Sequence, residues 1–187
     1  VYKRQLLGRA DAGFHARLKT FLDADHVIIT PDMVGEIRRR IEALPGEHPR
    51  VGVPSLGEYP KFFTDALYET GAEIVDITEA FVVAKAPKAP YELQLIQEAS
   101  DLAIAAFEEV VKYIRPGVTE KEVIGYAEGY LRAHGAEDLL ILSRGEYPHA
   151  FINRPTFRRI EKDDLFVFSV EIAGVYGYWT QIIRPIF

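Results

Sequence analysis

The first half of the chain alternates short apolar runs with longer segments in which apolar residues recur every three or four positions. The runs at 26–29, 50–54 and 73–76 have the length and β-branched content of short strands. The segments that follow them, and the segment 12–22, have the spacing of amphipathic helices. This alternation predicts an α/β layer with parallel strands, and Thr30 before a proline predicts a helix start.

The second half opens with two long helical patterns and then changes to strand patterns. The proline-rich segment 85–90 interrupts the periodicity on both sides, which indicates a domain boundary. A helix is predicted over 90–114, and Thr119 with Glu122 forms a capping box at the start of the next helix. A buried strand is predicted at 139–142.

Two β-branched and aromatic runs, 164–172 and 176–184, flank a glycine turn at 173–175. Runs of this kind around such a turn predict a β-hairpin. We expect the helix over 90–114 to pack on the sheet that contains this hairpin.

The composition is that of an ordinary globular protein, with 187 residues, 48% of them hydrophobic and 27% charged. A net charge of −6 gives no basic footprint for nucleic acid, and no apolar stretch approaches the roughly 18 residues of a membrane span. We therefore expect neither nucleic acid nor membrane as a partner. Cysteine is absent, which excludes disulfides and sulfur-ligated metals and is compatible with the cytoplasmic location that we expect.

The two ends of the sequence have unusual features. Residues 1–5 resemble a translated sequencing adapter, and they are left out of the fold prediction. The last residues come directly out of a predicted strand, without a turn or cap. We expect the chain to be a piece of a longer protein, cut at both ends.

Four segments of the second half resemble the creatinase, aminopeptidase P and Xaa-Pro dipeptidase family, whose catalytic domain has the pita-bread fold. They are a Lys-Ala-Pro-Tyr-Glu box at 88–96, an Arg-Pro-Gly-Val-Thr-Glu connection at 115–122, a Pro-His loop at 148–154 and a Gly-Tyr hairpin strand at 177–184. The resemblance implies a mixed α/β (α+β) fold. It consists of a partial creatinase-type N-terminal domain over 6–87 and the first half of a pita-bread domain over 88–187.

Metal-dependent members of this family carry an Asp three residues before the Arg of the hairpin and another Asp about eleven residues earlier. Those two positions hold Gln181 and Val170, which cannot supply the anionic oxygens that two adjacent divalent cations need. Glu171 is one residue away, but alternation along a strand points it to the face opposite Val170 unless a bulge intervenes. We expect no metal cofactor; the alternative is a pair of cations such as manganese, cobalt or zinc.

The resemblance also implies site residues. His149 occupies the place of an active-site histidine of the family, and an imidazole with a reference pKa near 6.5 suits proton transfer to a leaving nitrogen. Phe151, Tyr178 and Trp179 are expected to form an apolar wall beside the substrate, which would be a small molecule or a short peptide. We expect a homodimer when the protein is complete.

The implied function is a metal-independent hydrolase that cleaves a C–N bond in a small amide, a guanidino compound or an Xaa-Pro peptide. Two alternatives remain open at this point. One is a two-metal Xaa-Pro aminopeptidase or dipeptidase, and the other is a non-catalytic pita-bread module that binds peptides. We expect the 187-residue fragment by itself to be inactive.

Overall fold

The computed structural model describes residues 6–8, 26–144 and 152–186. It divides into two compact units, Val1–Lys88 and Ala89–Phe187, and each is described by itself below. The division falls one residue after the predicted boundary between residues 87 and 88. No helix among the described residues is long and apolar enough to cross a membrane.

The first unit consists of short parallel strand pairs and helices, and this confirms the predicted α/β layer. Strand β1 pairs with β2, and β3 pairs with β4, both in parallel. A small core of Ile41, Val53 and Leu67 lies beside the second pair. The elements are β1 (Leu6–Gly8), β2 (Val27–Ile29), α1 (Met33–Glu42), β3 (Arg50–Val53), α2 (Lys61–Tyr68), β4 (Glu73–Asp76) and α3 (Thr78–Lys85).

The start of helix α1 corrects one sequence prediction. Asp32, not Thr30, is the capping residue, because its Oδ1 accepts a hydrogen bond of 2.8 Å from the backbone N–H of Gly35. The hydroxyl of Thr30 instead accepts from the N–H of Asp32 at 3.1 Å. The predicted helix at 12–22 lies outside the described residues.

The second unit begins with two helices whose starts follow the sequence prediction. Helix α4 spans Pro90–Tyr113, and Glu92 accepts a hydrogen bond of 2.7 Å from the backbone N–H of Ala89. Helix α5 spans Glu120–Ala133, and Thr119 and Glu122 form the predicted capping box in front of it. Both helices therefore begin at side chains that satisfy their free N–H groups.

A three-stranded antiparallel sheet follows, in the order β5–β6–β7. The strands are β5 (Asp138–Arg144), β6 (Phe166–Ala173) and β7 (Trp179–Ile186), so the predicted hairpin is confirmed. In the turn, Gly174 approaches helix α4 so closely that an added Cβ would lie 2.8 Å from the Cβ of Ala99. Only glycine fits at such a contact.

One face of this sheet carries the main core. Phe166, Phe168, Val170 and Ile172 of β6 are at most 1% exposed. Helix α4 packs against the sheet as predicted, and helix α5 packs against it as well. We call this the core face. The buried side chains that the helices contribute to this core are Ala103, Ala106, Val110, Val123, Ile124, Ala127 and Leu131.

Candidate active site

The opposite face of the sheet is accessible, and we call it the open face. Its side chains come from alternate residues of the three strands, as the register shows. On β6 they are Val167, Ser169, Glu171 and Ala173; on β5 they are Asp138, Leu140 and Leu142; and on β7 they are Trp179, Gln181 and Ile183. Leu140 is 39% exposed, Ile183 38% and Trp179 48%, so this apolar surface contacts water.

A polar cluster lies in the middle of the open face. Glu171 is directly opposite Gln181, ten residues away in sequence. The amide Nε2 of Gln181 donates to the hydroxyl of Ser169 at 3.1 Å and to Oε2 of Glu171 at 3.4 Å. Ser169 is fully buried, whereas Glu171 is half-buried and Gln181 is exposed. The amide therefore holds the carboxylate beside a fixed hydroxyl, with apolar side chains around them.

This geometry corrects the predicted pairing of Val170 with Gln181. Val170 is opposite Ile182, belongs to the core face and is fully buried. Alternation does separate Glu171 from Val170, as predicted, but the residue on the face of Gln181 is Glu171. No bulge is needed to bring the two side chains together, because the regular register of the hairpin already does so.

The correction has a simple physical origin. The length of the turn decides which residues of two antiparallel strands are opposite each other. The eleven-residue spacing assumed from the family places position 170 across from position 181, whereas this turn places position 171 there. A count of the turn residues together with the strand ends was the signal that could have identified Glu171 and Ser169.

Of the three residues predicted to form an apolar wall, Tyr178 and Trp179 lie within the described residues. Trp179 lies on the open face, where it is opposite Ala173. The hydroxyl of Tyr178 instead donates a hydrogen bond of 2.7 Å to Oε1 of Glu92 at the start of α4. That bond to a carboxylate, together with desolvation, raises the pKa of Tyr178 to about 12. Tyr178 therefore connects the hairpin turn to helix α4.

The predicted catalytic His149, and Phe151 with it, lie outside the described residues. Arg184 is opposite Phe168 on the side of the core face, where its Nη1 donates to the backbone carbonyl of Ile183 at 2.7 Å. Asn153 pairs with Ser143, near the end of β5, through two backbone hydrogen bonds.

Comparison with known proteins assigns this sheet to a family. The family model "Metallopeptidase family M24" matches residues 94–187, which is half of the chain. The chain belongs to metallopeptidase family M24. The match covers helix α4 from residue 94 onward, helix α5 and the three strands, so the polar cluster of the open face lies within the M24 part.

The M24 assignment agrees with a relative and with solved structures. The uncharacterized peptidase YqhT of Bacillus subtilis is 28% identical over 122 residues, which are 62% of this chain and 33% of YqhT. The prolidase from Pyrococcus horikoshii superposes with a TM-score of 0.76 at 21% identity, over 96% of this chain and 50% of that chain. The X-Pro aminopeptidase from Thermotoga maritima superposes with a TM-score of 0.72 at 19% identity, over 96% of this chain and 51% of that chain. The structural matches show a shared fold.

The chain spans about half the length of these two solved structures and a third of YqhT. The resemblance to the creatinase and Xaa-Pro dipeptidase family, and a partial pita-bread fold, are confirmed. The prediction of a metal-independent reaction is not supported, because M24 is described as a family of metallopeptidases.

The metal that the M24 name implies can be tested against the residues of the open face. Two adjacent divalent cations need several anionic oxygens, and the centre of the face offers one carboxylate, Glu171, with the amide of Gln181 and the hydroxyl of Ser169. Across the ranges 6–8, 26–144 and 152–186, no three or more His, Cys, Asp or Glu side chains converge on a common point. The described residues therefore do not fit a pair of cations.

Proposed function

We propose that the protein to which this chain belongs hydrolyses a C–N bond in a short peptide, with Xaa-Pro peptides as the preferred class. The observation that carries the proposal is the polar cluster of Glu171, Gln181 and Ser169 at the centre of an accessible, otherwise apolar sheet face within the M24 part. The substrate class is taken from the X-Pro aminopeptidase and prolidases that share the fold.

In this proposal the open face binds and orients the substrate. Glu171 supplies the negative charge of this binding surface. Gln181 fixes the orientation of the carboxylate, because its amide donates to Glu171 and also to the buried hydroxyl of Ser169. Leu140, Trp179 and Ile183 keep water away from the carboxylate once a substrate lies on them, which strengthens its electrostatic interactions. No step passes through a metal at the hairpin, since the residues there do not fit a cation pair.

Proton transfer to the leaving nitrogen stays assigned to His149, as the family resemblance implies. A histidine with a pKa near neutrality can exchange a proton with the attacking water and then with the leaving group. Replacing His149 with Ala in the complete protein should lower kcat by roughly 100-fold or more, which is the usual loss for a positioned acid–base group.

The test is proline release from Xaa-Pro dipeptides by the full-length product of the gene that encodes this chain. Xaa-Ala dipeptides, small amides and guanidino compounds serve as competing substrate classes. We expect Xaa-Pro hydrolysis, with kcat/KM at least about tenfold lower in Glu171→Ala, because a hydrogen bond to a charged group contributes roughly 1.5 to 3 kcal/mol. Activity that is retained in the presence of a chelator supports the absence of a metal step at the hairpin. Loss of activity in the chelator contradicts the absence of that step.

Peptide binding without hydrolysis of any substrate would contradict the proposal and favour the binding module. Hydrolysis that is unchanged in Glu171→Ala would locate the substrate away from the open face.

A further inference from the structure

We propose that Glu171 and Trp179 form a subsite for a positively charged nitrogen group of the ligand, an alkylammonium or a guanidinium ion. This inference rests on the proposed role of the open face as the substrate-binding surface, and it names the charge that the surface selects. It follows from the placement of one carboxylate, one aromatic ring and two acceptor atoms that make no hydrogen bond to other described residues.

The two side chains are neighbours on the open face. Glu171 is opposite Gln181, and the next pair on the same face is Ala173 with Trp179. Glu171 and Trp179 are therefore diagonal neighbours, whose Cα atoms lie about 7 to 8 Å apart in an antiparallel pair, within reach of long and aromatic side chains. Trp179 is 48% exposed, so its indole ring is available to a ligand. A carboxylate next to an indole ring favours a cation, through charge and through the π face.

The carboxylate has no cationic partner in the part of the chain that the structure describes. The other acid of this face, Asp138, lies 3.9 Å from Arg132 and accepts a hydrogen bond from the N–H of Leu139. A cationic ligand would therefore supply the counter-charge to Glu171.

The hydrogen bonds of the cluster also favour a ligand with N–H donors. Gln181 uses its amide nitrogen toward Ser169 and Glu171, and this directs its carbonyl oxygen away from them. That oxygen and Oε1 of Glu171 make no hydrogen bond within the described residues, so both can accept from a ligand. Ammonium and guanidinium groups carry several N–H donors, whereas a quaternary ammonium group carries none and should bind less well.

Trp179 is the single tryptophan of the chain, so its fluorescence reports on this subsite directly. The 187-residue chain is titrated with n-butylammonium, methylguanidinium, tetramethylammonium and neutral N-butylacetamide, with chelator present throughout. We expect a saturable change with the first two, and a dissociation constant at least about tenfold higher in Glu171→Gln, because a charge-assisted hydrogen bond is lost. Ammonium and guanidinium both support the proposal, and their ranking identifies the preferred group.

Glu108→Gln is the matched control. Glu108 is an exposed carboxylate on α4, the helix that packs on the opposite, core face, so its removal changes net charge equally without touching the subsite. Binding in this variant should match that of the original chain. Equal responses to butylammonium and to the neutral amide, or equal weakening in the two variants, would overturn the proposal.

A second measurement requires no ligand. Caesium and iodide quench exposed tryptophan, and the charge of Glu171 should attract the first ion and repel the second. The ratio of their quenching constants should fall in Glu171→Gln and stay constant in Glu108→Gln; a ratio unchanged in both variants would contradict the subsite. Cation binding without peptide hydrolysis by the complete protein would refute the proposed function alone, and hydrolysis without cation selectivity would refute this inference alone.

Discussion

The two faces of the β5–β6–β7 sheet differ although the same strands form them. On β6 the core face holds four apolar side chains that are at most 1% exposed, whereas the open face holds Glu171 and the buried hydroxyl of Ser169. Neighbouring residues such as Val170 and Glu171 thus have opposite environments. A substitution on the core face should act mainly on stability, and one on the open face mainly on binding.

The strongest test of this comparison places the same acid on each face. Val170→Asp restores the carboxylate expected at that position in a metal-dependent relative, but it buries the charge among Phe168 and its neighbours. We expect a loss on the order of 5 kcal/mol in unfolding free energy, measured by urea denaturation, and no gain in metal binding.

Gln181→Asp is the matched variant on the open face. Its carboxylate is opposite Glu171, so the repulsion between the like charges should lower the unfolding free energy by less than about 1 kcal/mol. A divalent cation should relieve this repulsion, and calorimetry should detect manganese binding in this variant. Manganese binding to Val170→Asp, or similar stability losses in the two variants, would show that the faces are assigned wrongly.

A second test compares apolar residues. Phe168 is fully buried and contacts Phe107 with ring centroids 5.6 Å apart, so Phe168→Ala should lower the unfolding free energy by about 3 to 5 kcal/mol. Ile183→Ala, at a residue that is 38% exposed, should lower it by clearly less. Both values come from the same urea titrations. Equal losses would mean that the open face is as tightly packed as the core face.

A smaller effect is expected at the start of β6, where a charged pair belongs to neither face. Arg158 binds Asp164 through two hydrogen bonds of 2.7 and 2.8 Å, and they hold the pKa of Asp164 below its usual range. The stabilisation is present above the unfolded pKa near 3.9 and is lost as pH falls through the lower folded pKa. Asp164→Asn should thus lower the unfolding free energy by roughly 1 to 2 kcal/mol at pH 7. The difference from the unchanged chain should shrink below about pH 4, as urea denaturation across a pH series would show.

Asp163→Asn is the control for this pair, since Asp163 is exposed and next to Asp164 in the chain. Its stability should follow that of the unchanged chain across the pH series. A difference at Asp164 that persists unchanged at pH 3 would show that the ion pair is not its cause.

The smallest effect concerns Tyr178 in the hairpin turn. Its phenol should stay protonated until about pH 12, because ionisation would place a second negative charge beside Glu92. The difference between the absorbance titrations of the unchanged chain and Tyr178→Phe isolates this group. In Glu92→Gln its transition should move toward pH 10, the usual tyrosine value; a transition already near pH 10 in the unchanged chain would exclude the contact.

Local patterns in the sequence were sufficient for most of the fold. The capping box of Thr119 and Glu122, the helix starting at Pro90 and the hairpin around Gly174 each depend on residues close together in the chain. Such features follow from hydrogen-bonding geometry and from the alternation of apolar residues. The start of α1 was wrong by two residues, because Thr30 and Asp32, two positions apart, can both cap a helix.

The site was harder to predict than the fold. Which side chain is opposite Gln181 depends on the register of two strands, and one residue of slip moves every side chain to the other face. The spacing taken from relatives gave Val170, and only the pairing in the structure identifies Glu171 and Ser169. The bond between Tyr178 and Glu92 joins residues 86 positions apart, and no local pattern indicates it.

The opposition of Glu171 and Gln181 also has a genetic consequence. The codons for glutamine and glutamate differ in a single base, so one point mutation at position 181 would place two carboxylates face to face on the open face. Because position 181 is exposed, the fold would tolerate that change. A lineage could therefore move between a one-carboxylate and a two-carboxylate hairpin in one mutational step, without passing through an unfolded intermediate.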